Sequence, residues 1–274
     1  MRVGIFLMQR DEFDLFPVFI RYYGEIFGYE NIHVFDNGSS ETMKPLLDTA
    51  SDLGVHIDYT YNKSEHFSDK GNIMSRIINN TQDKYDIFLP LDCDEFITLD
   101  SGNLTSNRVD FMDYFKSLKI GTYESKHRFK NHLTDYTQFY IANNNRKLFF
   151  KNTTVSNLDI GFHNCSNLEP INESSLCYLE LHNKPYNLFK EHALNKLEHR
   201  VSENGYGTYV GPGHHLIKYL LEGGKELYYQ DILSQRYIKI RTLIDKFTEL
   251  GINKDIFNLE DTLCYINNFK PKII

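Results

Sequence analysis

Short apolar runs alternate with amphipathic ones through the first hundred residues, and that alternation restricts the fold more than any other feature. Residues 2–7 read as an apolar strand, and 13–27 carry apolar side chains at helical spacing. A second strand at 32–35 runs into the turn Asp36-Asn37-Gly38-Ser39-Ser40. Ser39 or Ser40 is then suited to cap a helix over 41–53 that stops at Gly54. A third strand follows at 55–60, and a helix over 70–80 gathers Ile73, Ile77 and Ile78 on one face. The run Ile87-Phe88-Leu89-Pro90-Leu91 is a fourth strand. This order predicts the α/β class, with a mostly parallel central sheet and helices on both faces. Ligands gather at the carboxyl ends of strands in such sheets.

Those ends are where the polar clusters fall: Arg10-Asp11-Glu12, Asp36-Asn37 and Asp92-Cys93-Asp94. Beyond residue 100 the pattern loosens. Residues 119–182 read as short strands and loops, 183–201 as a helix, and 205–213 as a flexible loop rich in glycine. From residue 215 onward the segments read as amphipathic helices.

Bulk properties narrow the choice of partner. The net charge is −7 and no basic stripe is visible, which argues against nucleic-acid binding by counterion release. Cys93, Cys165, Cys177 and Cys264 show no CxxC spacing, so reduced thiols in a cytoplasmic protein are expected, with a Cys165–Cys177 pair as the alternative. No apolar run approaches the roughly 20 residues of a membrane span. The apolar stretch at 3–8 meets Arg10, Asp11 and Glu12 at once, so it reads as a strand rather than a leader.

Asp92 and Asp94 carry the strongest chemical signal. Two carboxylates one residue apart at the end of an apolar strand can straddle a divalent cation, one as a ligand and the other through water or a sugar hydroxyl. Mn²⁺ and Mg²⁺ prefer oxygen ligands and take diphosphate oxygens in their remaining positions. A bound ion would neutralise a departing nucleoside diphosphate. Asp36 suits a ribose hydroxyl or base N–H, though a turn would use the same residues. Lys70 opens its helix where an ammonium could meet a phosphate. His163 and His182 each end a short apolar stretch, and a neutral imidazole can complete a carboxylate metal site.

In this order and spacing, Arg10-Asp11-Glu12, Asp36-Asn37-Gly38-Ser39-Ser40 and Leu91-Asp92-Cys93-Asp94-Glu95-Phe96 resemble the family 2-type glycosyltransferases of the GT-A fold. His182-Asn183-Lys184-Pro185-Tyr186, with Lys196 beyond it, resembles the entry to a later helix in the same branch. The resemblance covers residues 1–100 well and 145–200 loosely. It implies a nucleotide-sugar donor, often a UDP-sugar, and a saccharide, glycan or other hydroxyl acceptor. Arg10 and Asp36 would then lie on the nucleotide, and Asp92 and Asp94 on the ribose, diphosphate and metal. His163 or His182 would approach the ion. Two positions depart from the family pattern: Arg10 stands where Asn is usual, and Glu41 where Asp is common. Inverting transfer needs a carboxylate base, and Asp135 and Asp159 are the candidates.

The implied division is a nucleotide-sugar half at 1–100, an acceptor-side half of the same domain at 101–204, and a glycine-rich loop with a helical tail at 205–274. That tail could support an oligomer. Two other functions use the same strand-end logic: a metal-dependent nucleotidylyltransferase and a non-catalytic nucleotide- or carbohydrate-binding protein. The first normally shows a Gly-rich basic loop after its first strand, which Leu7-Met8-Gln9-Arg10 lacks.

Overall fold

The strand β1 (Val3–Gln9) is buried along its whole length, as a strand covered on both faces must be. It pairs in parallel with β2 (Ile32–Asp36) on one side and β4 (Ile87–Leu91) on the other, while β3 (His56–Asp58) extends the sheet beyond β2. The crossovers carry α1 (Phe16–Phe27), α2 (Lys44–Asp52) and α3 (Lys70–Asn80). The chain therefore steps outward from β1 to β3 and returns on the far side of β1. That reversal makes a topological switch point between β1 and β4, the place where open α/β sheets bind ligands. The computed structural model describes residues 1–142, 146–167, 169–197, 201, 205, 209–211, 213–253 and 256.

The same sheet continues past β4 through β10 (Leu148–Lys151), β7 (Gly121–Glu124) and the short β11 (Asn172–Glu173). β10 runs antiparallel to both of its neighbours. Its register with β4 covers Ile87 and Phe88 and ends short of Pro90, which has no N–H to continue a ladder. So the α/β arrangement predicted by the alternation holds, with a parallel core and antiparallel strands added at one side.

A second sheet was not expected. Its order is β13 (Ile238–Lys239), β9 (Gln138–Ile141), β8 (His127–Asn131), β12 (Leu176–Glu180), β5 (Glu95–Asp100) and β6 (Leu104–Thr105). Because β4 lies in the first sheet and β5 in the second, Asp92-Cys93-Asp94 is the corner that joins them. α1 braces this corner: the Tyr23 hydroxyl donates to Glu95 O at 2.9 Å and accepts from Ile97 N at 3.0 Å, and Tyr22 donates to Ile97 O at 2.7 Å. α4 (Arg108–Ser117) packs Phe111 and Phe115 against Phe27 in the same aromatic core.

The remaining helices are α5 (Tyr186–Leu197), α6 (His214–Leu220), α7 (Gly224–Leu233) and α8 (Thr242–Glu249). Phe247 of α8 meets Phe96 and Tyr22 edge-on with ring centres 5.4 and 6.1 Å apart, so this segment is built into the core. Residues 206–208 and 212 of the 205–213 loop, Cys264 and the tail beyond 256 lie outside the described residues. No helix among the described residues is long and apolar enough to cross a membrane. Cys93, Cys165 and Cys177 are free thiols.

Ser39 and Ser40 do not cap α2, which begins at Lys44 with Pro45 in its first turn. Their hydroxyls are engaged at the strand ends instead. Ser39 Oγ accepts from Asp11 N, and Ser40 Oγ donates to Asp11 Oδ1.

At the opposite end of the sheet the Phe6, His33 and His56 rings stack across β1, β2 and β3. Burial, then the neighbouring His56 and Lys84, push the His33 imidazole down to about 4. A histidine that stays neutral in the fold and is protonated when unfolded weakens the fold as pH falls from about 6.5 toward 4. Urea unfolding should therefore show about 2 kcal/mol less stability at about pH 5 than at about pH 7 from this residue. His33→Phe should flatten that dependence, and an unchanged slope would contradict the assignment.

Candidate active site

The polar ends of β1 and β2 form one bonded unit. Gln9 Nε2 donates to Asp36 Oδ1 at 2.8 Å, and Ser39 N donates to Asp36 Oδ2 at 3.2 Å. Asn37 N donates back to Gln9 O, while its side-chain amide holds the carbonyls of Tyr61 and Lys63. Asp36 and Asn37 are both buried. Asp11, at a φ of 54° that few side chains adopt, accepts from Ser40 N and ties the two loops together. Half-buried Arg10 lies in the same turn. Each Asp36 oxygen retains a second lone pair, so the turn role and a nucleoside role are compatible.

The corner after β4 is built on buried charge. Asp92 Oδ1 accepts from Lys70 Nζ, and Asp92 Oδ2 accepts from Lys147 Nζ at 2.8 Å. Lys147 also pairs with Glu95 Oε1 at 2.6 Å, and Glu95 Oε2 accepts from Asp92 N at 2.9 Å. Both lysine side chains are 2% exposed whereas Asp92 is 34% exposed, so the ammoniums lie beneath a carboxylate that faces outward. The Phe162 ring covers them, 4.3 Å from Lys70 Nζ and 5.4 Å from Lys147 Nζ. Burial works to raise the Asp92 carboxyl, but Lys147 and Lys70 together hold it well below the ordinary range. Burial pushes the Glu95 carboxyl up to about 8 against the pull of Lys147.

Antiparallel register brings the next group in. Glu180 of β12 lies opposite Glu95 of β5, and Leu181 N donates to Asp94 O at 2.8 Å, so His182 arrives beside Asp94. His182 Nδ1 is 3.3 Å from Asp94 Oδ2, and the ring is 42% exposed. The Lys130 ammonium, then burial, keeps the imidazole below its ordinary value, which leaves it neutral and a potential nitrogen ligand near neutral pH. Burial would raise the Asp94 carboxyl, but the His182 contact outweighs it and holds the group low. Behind them, Arg128 holds both Glu180 oxygens, with Nη2 at 2.9 Å from Oε2.

These donors fit a divalent ion in one particular way. Asp92 already accepts an ammonium on each oxygen, and its outward lone pairs suit a hydroxyl donor. Asp94 and His182 are the oxygen and nitrogen donors that face the open side. Mg²⁺ and Mn²⁺ commonly take one or two carboxylates and draw the rest of their shell from phosphate and water.

The structure brings together Lys70 with Asp92, Asp94 with His182, and Asp159 with His163. The last pair organises a loop. Asp159 accepts from His163 N at 2.7 Å and from Asn164 Nδ2 at 3.1 Å, and His163 Nδ1 pairs with Arg146 O at 3.1 Å. Burial and then Lys147 press the His163 imidazole down to about 4. Asp135 accepts from Thr137 and Gln138 in the turn between β8 and β9. The Lys70 side chain, 2% exposed, is engaged with Asp92 Oδ1 beneath the carboxylate.

Sequence reasoning missed Lys147 and the role of Glu95. It also missed a second buried ammonium, Lys184, whose Nζ lies 3.2 Å from both Glu12 Oε2 and Asp14 Oδ2. A lysine just before the apolar run Leu148-Phe149-Phe150 looks like any solvated strand flank, so little in the sequence could have flagged Lys147.

No family model matches this chain, and no curated protein does. Among solved structures, S. aureus TarS 1–349 is similar at 10% identity over 85% of this chain and 82% of that one, with a TM-score of 0.37. The same protein in complex with UDP is similar at 9% identity over 98% of this chain and 76% of that one, with a TM-score of 0.40. At that level of likeness the chemistry has to come from the residues themselves.

The two aspartates should respond differently to truncation. Asp92→Ala leaves two buried ammoniums short of an anion and should cost about 3 kcal/mol or more. Asp94→Ala should cost less than about 1 kcal/mol, because its partner is exposed to solvent. Urea unfolding of the two variants measures the difference, and equal costs would contradict the buried-lysine account of the corner.

Proposed function

We propose that this chain is a divalent-metal-dependent glycosyltransferase that moves a sugar from a UDP-sugar to a saccharide hydroxyl, with inversion. One observation carries the reading: Asp94 and His182 pair on the open side of the switch point, beside an Asp92 held outward by Lys70 and Lys147. Asp94 and His182 would hold Mn²⁺ or Mg²⁺, which when bound supplies Lewis-acid neutralisation of the departing diphosphate. Asp92, ionised and fixed from beneath, is suited to accept from a ribose hydroxyl. Asp36 and Arg10, at the neighbouring strand ends, would meet the nucleoside side of the donor. Irregular segments of the acceptor-side half would choose the sugar and the acceptor through pocket shape.

Inversion is the course implied by the sequence resemblance, and it needs a carboxylate to take the acceptor proton. Asp135 and Asp159 each hold their own loop together, so either would have to exchange those bonds to serve. That observation favours, as the second reading, a nucleotide-binding protein without transfer activity.

A thermal-shift panel of nucleoside diphosphates tests the first reading. UDP should stabilise the chain, by about 2.7 kcal/mol at a hundred times its Kd. Mn²⁺ should add to the effect, and Asp94→Ala should remove the Mn²⁺ increment. Failure of every nucleoside diphosphate to stabilise the chain, with or without Mn²⁺, would sink the proposal. Release of UDP from UDP-glucose, UDP-galactose or UDP-N-acetylglucosamine separates the enzyme from the binding protein.

A further inference from the structure

A cavity of about 490 Å³ opens at the amino ends of the parallel strands, across the sheet from Asp92. Arg2, Lys84 and Arg108 line it, and Glu30 is the one carboxylate among its lining residues. Lys84 and Arg108 make no ion pair with a carboxylate among the described residues. In a chain of net charge −7, three cations around one concave surface are a local reversal of sign. Clefts lined by one sign of charge focus the field and concentrate ions of the other sign.

The cavity also has an apolar and aromatic side. Phe27 and Tyr85 are buried in its wall. His56, which lines it, is the outermost ring of a ladder that starts in the core at Phe6. Phe6 and His33 stack at 5.2 Å and 11°, and His33 and His56 at 4.7 Å and 21°. Parallel register sets the ladder, since Phe6 lies opposite His33 and His33 opposite His56. The Tyr85 hydroxyl, 2.7 Å from His33 Nε2, fixes the middle ring. The exposed His56 therefore presents a preset plane on which one more flat ring can lie.

We infer that this cavity binds a nucleoside phosphate, its base stacked on His56 and its phosphate held by Arg2, Lys84 and Arg108. The site is separate from the switch point and independent of the function proposed for it. A ligand there touches the starts of β1, β2, β3 and β4, the strands whose far ends carry Asp36 and Asp92, so it is suited to a regulatory role.

Calorimetric titration of the full chain with UMP, without divalent metal, tests the inference. UMP should bind, and the double variant Lys84→Ala/Arg108→Ala should weaken it by about tenfold or more through loss of charge-assisted bonds. Both side chains are exposed, so the variant should keep the wild-type melting temperature. Ribose 5-phosphate, with the same phosphate and no base, should bind about fivefold or more weaker, the share due to stacking. No UMP binding, binding unaffected by the double variant, or equal binding of ribose 5-phosphate would each overturn the inference.

Discussion

The buried contact of Asp92 with Lys70 and Lys147 is the interaction on which the rest of the structure depends. It occupies the corner where the chain leaves β4 of the first sheet for β5 of the second, and it gathers three distant parts of the chain. Lys70 comes from the start of α3, Lys147 from the approach to β10, and Glu95 from the start of β5. Removing charge from water is costly, and two ammoniums at 2% exposure persist because the ionised Asp92 carboxylate meets both at bonding distance. The arrangement fixes Asp92 in space before any ligand arrives.

The neighbouring groups divide the work around that fixed point. Asp94 and His182 lie on the open side and are the pair that can exchange a mutual contact for an ion. Tyr22 and Tyr23 tie α1 to β5 immediately beyond the corner, so the aromatic core beneath α1 and α8 stiffens the same few residues. Gly71 allows the close approach that seats Lys70: a Cβ there would fall 1.8 Å from Leu158 O, in the segment leading to Phe162.

Much of this was legible in the sequence, for identifiable reasons. The parallel core reads clearly because 3–8, 32–35 and 87–91 are apolar runs separated by helical periodicity. Asp92 and Asp94 stand out because carboxylates directly after such a run need partners. The second sheet did not read, because β5 pairs with β12 about eighty positions away and short strands carry little periodicity of their own. Lys147 was invisible because a flanking lysine looks the same whether its ammonium meets water or Asp92. Asp135 and Asp159 looked like candidate bases because a loop aspartate that organises a turn has the same sequence signature as one that does chemistry. Ser39 and Ser40 looked like helix caps and instead knit two strand ends together.

The central claim is that the metal belongs to Asp94 and His182 while Asp92 belongs to the lysines. Mn²⁺ binding followed by electron paramagnetic resonance in the presence of UDP measures this most directly, on wild type, Asp92→Asn, Asp94→Asn and His182→Ala. The account predicts that Asp94→Asn and His182→Ala lose most of the bound Mn²⁺ and that folded Asp92→Asn retains it. Loss of Mn²⁺ from Asp92→Asn as complete as from Asp94→Asn would contradict it.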